Sequence, residues 1–188
     1  MHRERYQRDR HLLVRRLVPP RDIARFLRES APLPAQRVWC GLDEVSWNEQ
    51  SVPPDSSLYG FFASITALVR SLLFSAVADG PVQLGCWTST YTEGEYINPH
   101  MDGTGTIQVV LCLETSGART GGLLGLRTHK DSSRLVALRP GDAAIFDATR
   151  VEHFTTPVAS SRACNAPRRI VAVARYSFLD VPTTTPAS

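Results

Sequence analysis

The sequence predicts a mainly β fold of the α+β class: a jelly roll with helices packed on one sheet. Three observations predict it. After residue 80, short β-type runs alternate with turn signals such as "TSGARTGG" and "RPGD". Before residue 80, two apolar segments have helical patterning and helical start signals. The chain has 188 residues, 43% hydrophobic and 21% charged, which is enough for one domain with a real core.

The elements follow in order. Residues 1–18 read as a basic arm. Residues 1–28 hold nine arginines against Glu4, Asp9 and Asp22, a net +6, while the rest of the chain is net −3. No pattern of aromatics interleaves these arginines for base stacking, so a solvated, partly frayed helix is preferred over a nucleic-acid contact. The domain proper is predicted over 19–180, helical over 19–80 and β over 81–180. "PPRDIARFLRES" starts with prolines and sets Ile23, Phe26 and Leu27 on one face. A Pro-punctuated stretch leads to "SVPPDSS", whose Ser/Asp cluster caps a buried apolar helix beginning near Leu58. The strands are read in "VQLGCWTSTY", "TIQVVLCLET", "GGLLGLRT", "SRLVAL", "AAIFDA" and "RRIVAVARYSF". The tail at 181–188, "VPTTTPAS", reads as disordered.

No apolar run reaches the roughly 20 residues of a membrane span, and the Arg-rich opening has no apolar core of a secretory signal behind it. Cys40, Cys86, Cys112 and Cys164 are scattered, which argues against a zinc knuckle or a disulfide scaffold. The expected setting is therefore reduced and cytoplasmic.

The chemistry centres on "YINPHMDGTG", residues 96–105. On a strand, His100 and Asp102 face the same way. By itself an H-x-D pair reads as loop polarity. A metal needs a third ligand, and of the five histidines His2 and His11 lie in the basic arm and His129 in a polar loop. His153 remains, in "FDATRVEHFTTPV" just after a strand. Two histidines and one carboxylate form the facial triad that holds Fe(II) on one side and leaves three positions open.

Several segments, in this order, resemble the Fe(II)- and 2-oxoglutarate-dependent dioxygenases, especially their prolyl-hydroxylase-like branch. "YTEGEYINPHMD" is similar to Y-x-x-G-x-x-x-x-x-H-x-D, with Tyr91, Gly94, His100 and Asp102 in place. "GGLLGL" resembles a G-G-x-L strand, "LRPGDAAIFDATRVEHFTTPV" the segment leading to the second histidine, and "RRIVAVARYSF" the last strand. The resemblance spans about residues 87–178. It implies a double-stranded β-helix that binds Fe(II), 2-oxoglutarate and O2, forms CO2 and succinate, and oxidises a substrate C–H bond. A carboxylate at Asp102 implies hydroxylation or a related oxidation such as desaturation, because related halogenases carry a small residue there.

The distal carboxylate of 2-oxoglutarate needs a cation, ideally the bidentate fork of an arginine. Arg169, Arg168 and Arg162 compete. Arg162 has the prolyl-hydroxylase spacing from His153 but sits in loop chemistry. Arg168 and Arg169 open the last strand, where only one can point inward, and Arg169 is preferred. The resemblance suggests that Tyr91 donates its hydroxyl to the same carboxylate; a core or rim tyrosine is the alternative. Trp87 and Phe146 read as core and Asp142 as a turn residue. Asp147 and Glu152 flank His153 as possible hydrogen-bond partners or surface residues, and Asn98 and Trp47 are possible pocket residues.

The leading functional expectation is an oxygenase acting on a small-molecule substrate such as an amino acid or a natural-product intermediate. A protein (prolyl) hydroxylase is the first alternative. Nucleic-acid demethylation, with the basic arm on phosphate, and a jelly-roll binding protein without turnover follow.

Overall fold

Apolar residues on both faces of a strand demand cover on both sides. Two long strands here meet that description, and they set the architecture. The computed structural model describes residues 2–40, 45–73, 80–103, 107–127, 133–162 and 164–178. Its strands are β1 (His11–Val14), β2 (Gln36–Cys40), β3 (Val45–Ser51), β4 (Val82–Tyr91), β5 (Ile97–His100), β6 (Ile107–Thr115), β7 (Leu124–Arg127), β8 (Ser133–Val136), β9 (Ala143–Phe146), β10 (Glu152–Thr155) and β11 (Arg169–Phe178). Its helices are α1 (His2–Asp9), α2 (Pro20–Ser30), α3 (Ser57–Ser64) and α4 (Thr66–Leu73). One sheet runs β1-β9-β6-β11-β4-β3-β2 and the other β5-β10-β7-β8. The strand pairings are antiparallel. This is the expected jelly roll.

Two apolar layers result. Ile107, Val109 and Leu111 of β6 and Ala172, Ala174 and Tyr176 of β11 pack with Phe26, Phe62 and Val69 of the helices. The alternate residues, Val110 and Cys112 of β6 and Val171 and Val173 of β11, face Leu124, Leu126 and Val136 of the smaller sheet. The central strands of the large sheet are thus buried on both faces, which is why their sequences run apolar without alternation.

The structure departs from the sequence reading at four places. The basic segment at 1–18 is not a separate arm: Tyr6 of α1 is fully buried, and β1 pairs with β9, His11 opposite Phe146. The buried Tyr6 and Leu12 supply apolar anchors that the arginine count obscures. The apolar helix near Leu58 is two helices, α3 and α4, meeting at Ile65; Ser56 caps the first, its side chain accepting from the Tyr59 backbone N–H. The Pro-punctuated stretch within 19–80 contains β2, an edge strand, and β3, paired between β2 and β4; its prolines lie outside both strands and cost no ladder hydrogen bond. His153 does not follow a strand; it lies within β10. The tail at 181–188 and His129 lie outside the described residues. Among the described residues no helix is long and apolar enough to cross a membrane.

Candidate metal and co-substrate site

Antiparallel pairing of β5 with β10 sets His153 opposite His100, their ring centroids 4.3 Å apart. Each imidazole is oriented the same way. Nδ1 of His100 bonds the Asn98 carbonyl at 2.8 Å, and Nδ1 of His153 bonds the Val151 carbonyl at 3.0 Å. With Nδ1–H donating, Nε2 of each ring is the free lone pair that a metal takes. Asp102 lies two residues past the end of β5. Its backbone N–H donates to the Ala148 carbonyl at 2.8 Å, which fixes the carboxylate with Oδ1 3.7 Å from His100 Nε2. One donor atom from each of His100, Asp102 and His153 falls within 4.8 Å of the others. His153 is buried, with the Phe146 ring 4.8 Å away, and burial followed by the nearby His100 lowers its pKa. The neutral imidazole so favoured is the form that ligates. Two imidazoles with free Nε2 atoms and one carboxylate fit Fe(II).

Arg169 opens β11 opposite Tyr91 of β4. Its guanidinium is buried, donates to Thr155 Oγ1 at 3.0 Å and lies 5.6 Å from the centre of the Tyr91 ring. Among the described residues no carboxylate pairs with it. Burial lowers its pKa and pushes the Tyr91 hydroxyl up to about 12, so a protonated phenol stands beside a desolvated cation. Gly122 makes room for this arginine. At φ 63° it is in the left-handed region, and a Cβ there would come within 3.0 Å of Arg169 Cδ. Arg168 points to the other face, where its fork makes two 2.8 Å bonds to Glu114 at the surface. Arg162 is exposed in a loop.

The triad and Arg169 line one cavity of about 380 Å³ between the sheets. Trp47 and Trp87, read as pocket and core residues respectively, both line it; Asn98 contributes its carbonyl to His100. Asp147 and Glu152 do not bond the His153 ring. Asp147 accepts from the Thr149 N–H and hydroxyl, closing a turn, and Glu152 pairs with Arg127 at 2.6 Å. Asp142 is a turn residue, accepting from the Arg139 N–H, and it also binds Arg15 and the Arg16 N–H beyond β1. Two cavity residues were given no role by sequence reasoning. Arg175 lies on the face of Arg169, six residues on, and donates to Asp102 Oδ2 at 2.7 Å. Glu49 of β3 accepts from Trp47 Nε1 and Ser89 Oγ. The even spacing from Arg169 was the available signal for Arg175; Glu49 had none.

No protein-family model matches the sequence, and a search of curated proteins finds no relative. Solved structures do match. A 2OG-Fe(II) oxygenase family oxidoreductase from Burkholderia pseudomallei superposes with a TM-score of 0.76 at 13% identity, covering 94% of this chain and 89% of that one. This is the 2OG-Fe(II) oxygenase fold. A prolyl-4-hydroxylase from Pseudomonas putida shares it at a TM-score of 0.73 and 15% identity, over 94% of this chain and 97% of the other. HygX from Streptomyces hygroscopicus, solved with nickel, 2-oxoglutarate and hygromycin B, shares it at 0.70 and 12%, over 96% and 88%. In this oxygenase fold the described triad and Arg169 line one cavity between the two sheets.

Proposed function

We propose that this chain is an Fe(II)- and 2-oxoglutarate-dependent oxygenase that hydroxylates, or otherwise oxidises, a C–H bond of a small molecule. One observation carries the reading: a set of two histidines and a carboxylate shares a cavity with a buried arginine that, among the described residues, lacks an anionic partner. A buried guanidinium without a counter-ion is costly, and a dicarboxylate co-substrate supplies the missing charge.

His100, Asp102 and His153 hold the metal. Bound Fe(II), with O2 and 2-oxoglutarate, supplies the oxidising power, releasing CO2 and succinate. Arg169 anchors the distal carboxylate through its free donors, and Tyr91 offers a phenol hydroxyl that stays protonated well above neutral pH. Thr155 holds the Arg169 guanidinium in place. Arg175 fixes one oxygen of Asp102 and leaves the other for coordination. Trp47, Trp87 and Leu124 supply apolar wall that keeps bulk water from the reacting centre.

The small-molecule reading draws support from the walled cavity and from the fold shared with HygX, whose structure holds hygromycin B. A protein hydroxylase is the second reading, favoured by the fold shared with prolyl hydroxylases, one of them solved with a peptide fragment. The first test needs no main substrate: succinate formation from 2-oxoglutarate that depends on Fe(II) and O2. Its absence under conditions where the metal binds defeats the oxygenase reading. Stimulation by small molecules but not by prolyl peptides then separates the two substrate classes.

A further inference from the structure

We propose that Glu49 is the substrate-recognition residue of this cavity and that the substrate carries a cationic amine. This rests on the oxygenase reading above, because that reading commits Arg169 to the co-substrate and leaves Glu49 without a cation.

Four side chains of fixed charge line the cavity: Glu49, Asp102, Arg169 and Arg175. Arg175 is bound to Asp102 at 2.7 Å. Arg169 is committed to the distal carboxylate of the co-substrate. Glu49 is left over. Among the described residues no cation pairs with it. Its nearest donors are neutral, Trp47 Nε1 at 2.9 Å and Ser89 Oγ at 3.1 Å, and both bond the same oxygen, Oε1.

That geometry suits binding. Two fixed donors on one oxygen orient the carboxylate and leave Oε2 for a ligand. The donors themselves stand on packed elements: Trp47 is buried and stacks on Tyr91, ring centroids 6.1 Å apart, and Ser89 is a buried residue of β4 directly opposite Glu49. A carboxylate oriented in this way, with one oxygen still open, selects an ammonium over a hydroxyl through a charge-assisted hydrogen bond. Anions are disfavoured at the same spot.

The test uses full-length protein loaded with Mn(II) and 2-oxoglutarate, titrated with three matched probes: phenethylamine, phenethyl alcohol and hydrocinnamate. The amine is expected to bind about ten-fold or more tighter than the alcohol, with the acid weakest. Glu49→Gln keeps an acceptor for Trp47 and Ser89 while removing the charge. It should bring the amine to the level of the alcohol and leave 2-oxoglutarate affinity unchanged. Equal binding of amine and alcohol, an amine preference that survives Glu49→Gln, or no amine binding overturns the proposal. Failure of the oxygenase reading shows separately, as absence of metal-dependent 2-oxoglutarate binding. In that case phenethylamine and phenethyl alcohol alone, on the unloaded protein with and without Glu49→Gln, decide the Glu49 preference.

Discussion

Arg175 Nη2 donates to Asp102 Oδ2 at 2.7 Å while its guanidinium lies 5.2 Å from the centre of the Trp87 ring. The carboxylate of the candidate metal site is thereby held on one oxygen by a cation that an aromatic face keeps in place.

Arg175→Met should therefore weaken Fe(II) binding about ten-fold or more without unfolding the protein, the usual cost of losing a partner behind a metal ligand. Fluorescence-monitored iron titration measures it. Arg175→Lys restores the charge without the fork and should recover only part of the affinity. Unchanged iron affinity in Arg175→Met would reduce the pair to a surface contact.

His153→Ala should abolish metal binding and all metal-dependent succinate formation while the circular dichroism spectrum stays native. Asp102→Gly should lose oxidation as well, and it leaves Arg175 without its carboxylate. Wild-type turnover in His153→Ala would remove the triad assignment.

Arg169→Ala should cost roughly 2–5 kcal/mol of 2-oxoglutarate binding, because the co-substrate carboxylate is left desolvated and unpaired. That is a rise of roughly 30-fold to several thousand-fold in KM for 2-oxoglutarate, with iron affinity little changed. Arg168→Ala, which loses only a surface pair to Glu114, and Arg162→Ala, in an exposed loop, should stay near wild type. Measuring the three KM values side by side decides the anchor.

Asp142 should matter for stability. Burial pushes its carboxyl up, but the N–H groups of Arg139 and Arg16 and the Arg15 side chain outweigh burial and hold it below the usual carboxylate range. Asp142→Ala should cost about 3 kcal/mol in urea unfolding at neutral pH. A lowered folded-state pKa gives stability that is full above the unfolded value, about 3.9, and lost as pH falls through the folded one. Asp142→Asn should accordingly be less stable than wild type at neutral pH and should flatten the loss of stability below about pH 4.

The long strands were legible because their composition leaves no other place for them. β4 and β11 were read almost residue for residue, since ten-residue β-type runs between turn signals, rich in Val and Ala in β11 and in Thr, Trp and Tyr in β4, fit strands of a sheet. β1, β5 and β10 have four residues each and carry His, Asn, Pro or Glu. Their pairing comes from partners far along the chain rather than from their own pattern. The same distinction runs through the site. His100, Asp102 and His153 were legible as candidate ligands through the ordered segments that resemble the dioxygenases, since the H-x-D pair by itself reads as loop polarity. The spacing from His153 alone could not separate three arginines; their burial and partners do, since one is enclosed beside Tyr91 and another is spent on Glu114. Arg175 and Glu49 were obscure because an arginine or glutamate on a strand says nothing of what faces it across the barrel.

The pairing of β1 with β9 also bears on how the chain assembles. His11 meets Phe146 only after most of the domain has been synthesised, so one edge of the large sheet waits for a partner from near the other end of the chain. Contacts this distant in sequence slow folding, because the entropy of closing the loop is spent before the strands reward it. Between its synthesis and its pairing with β1, β9 is an unprotected edge of four buried residues, Ala143 to Phe146, open to pairing with another chain. Slow expression at low temperature should therefore favour monodisperse protein, and deletion of residues 2–14 should show itself first as aggregation, before any change in metal or co-substrate affinity.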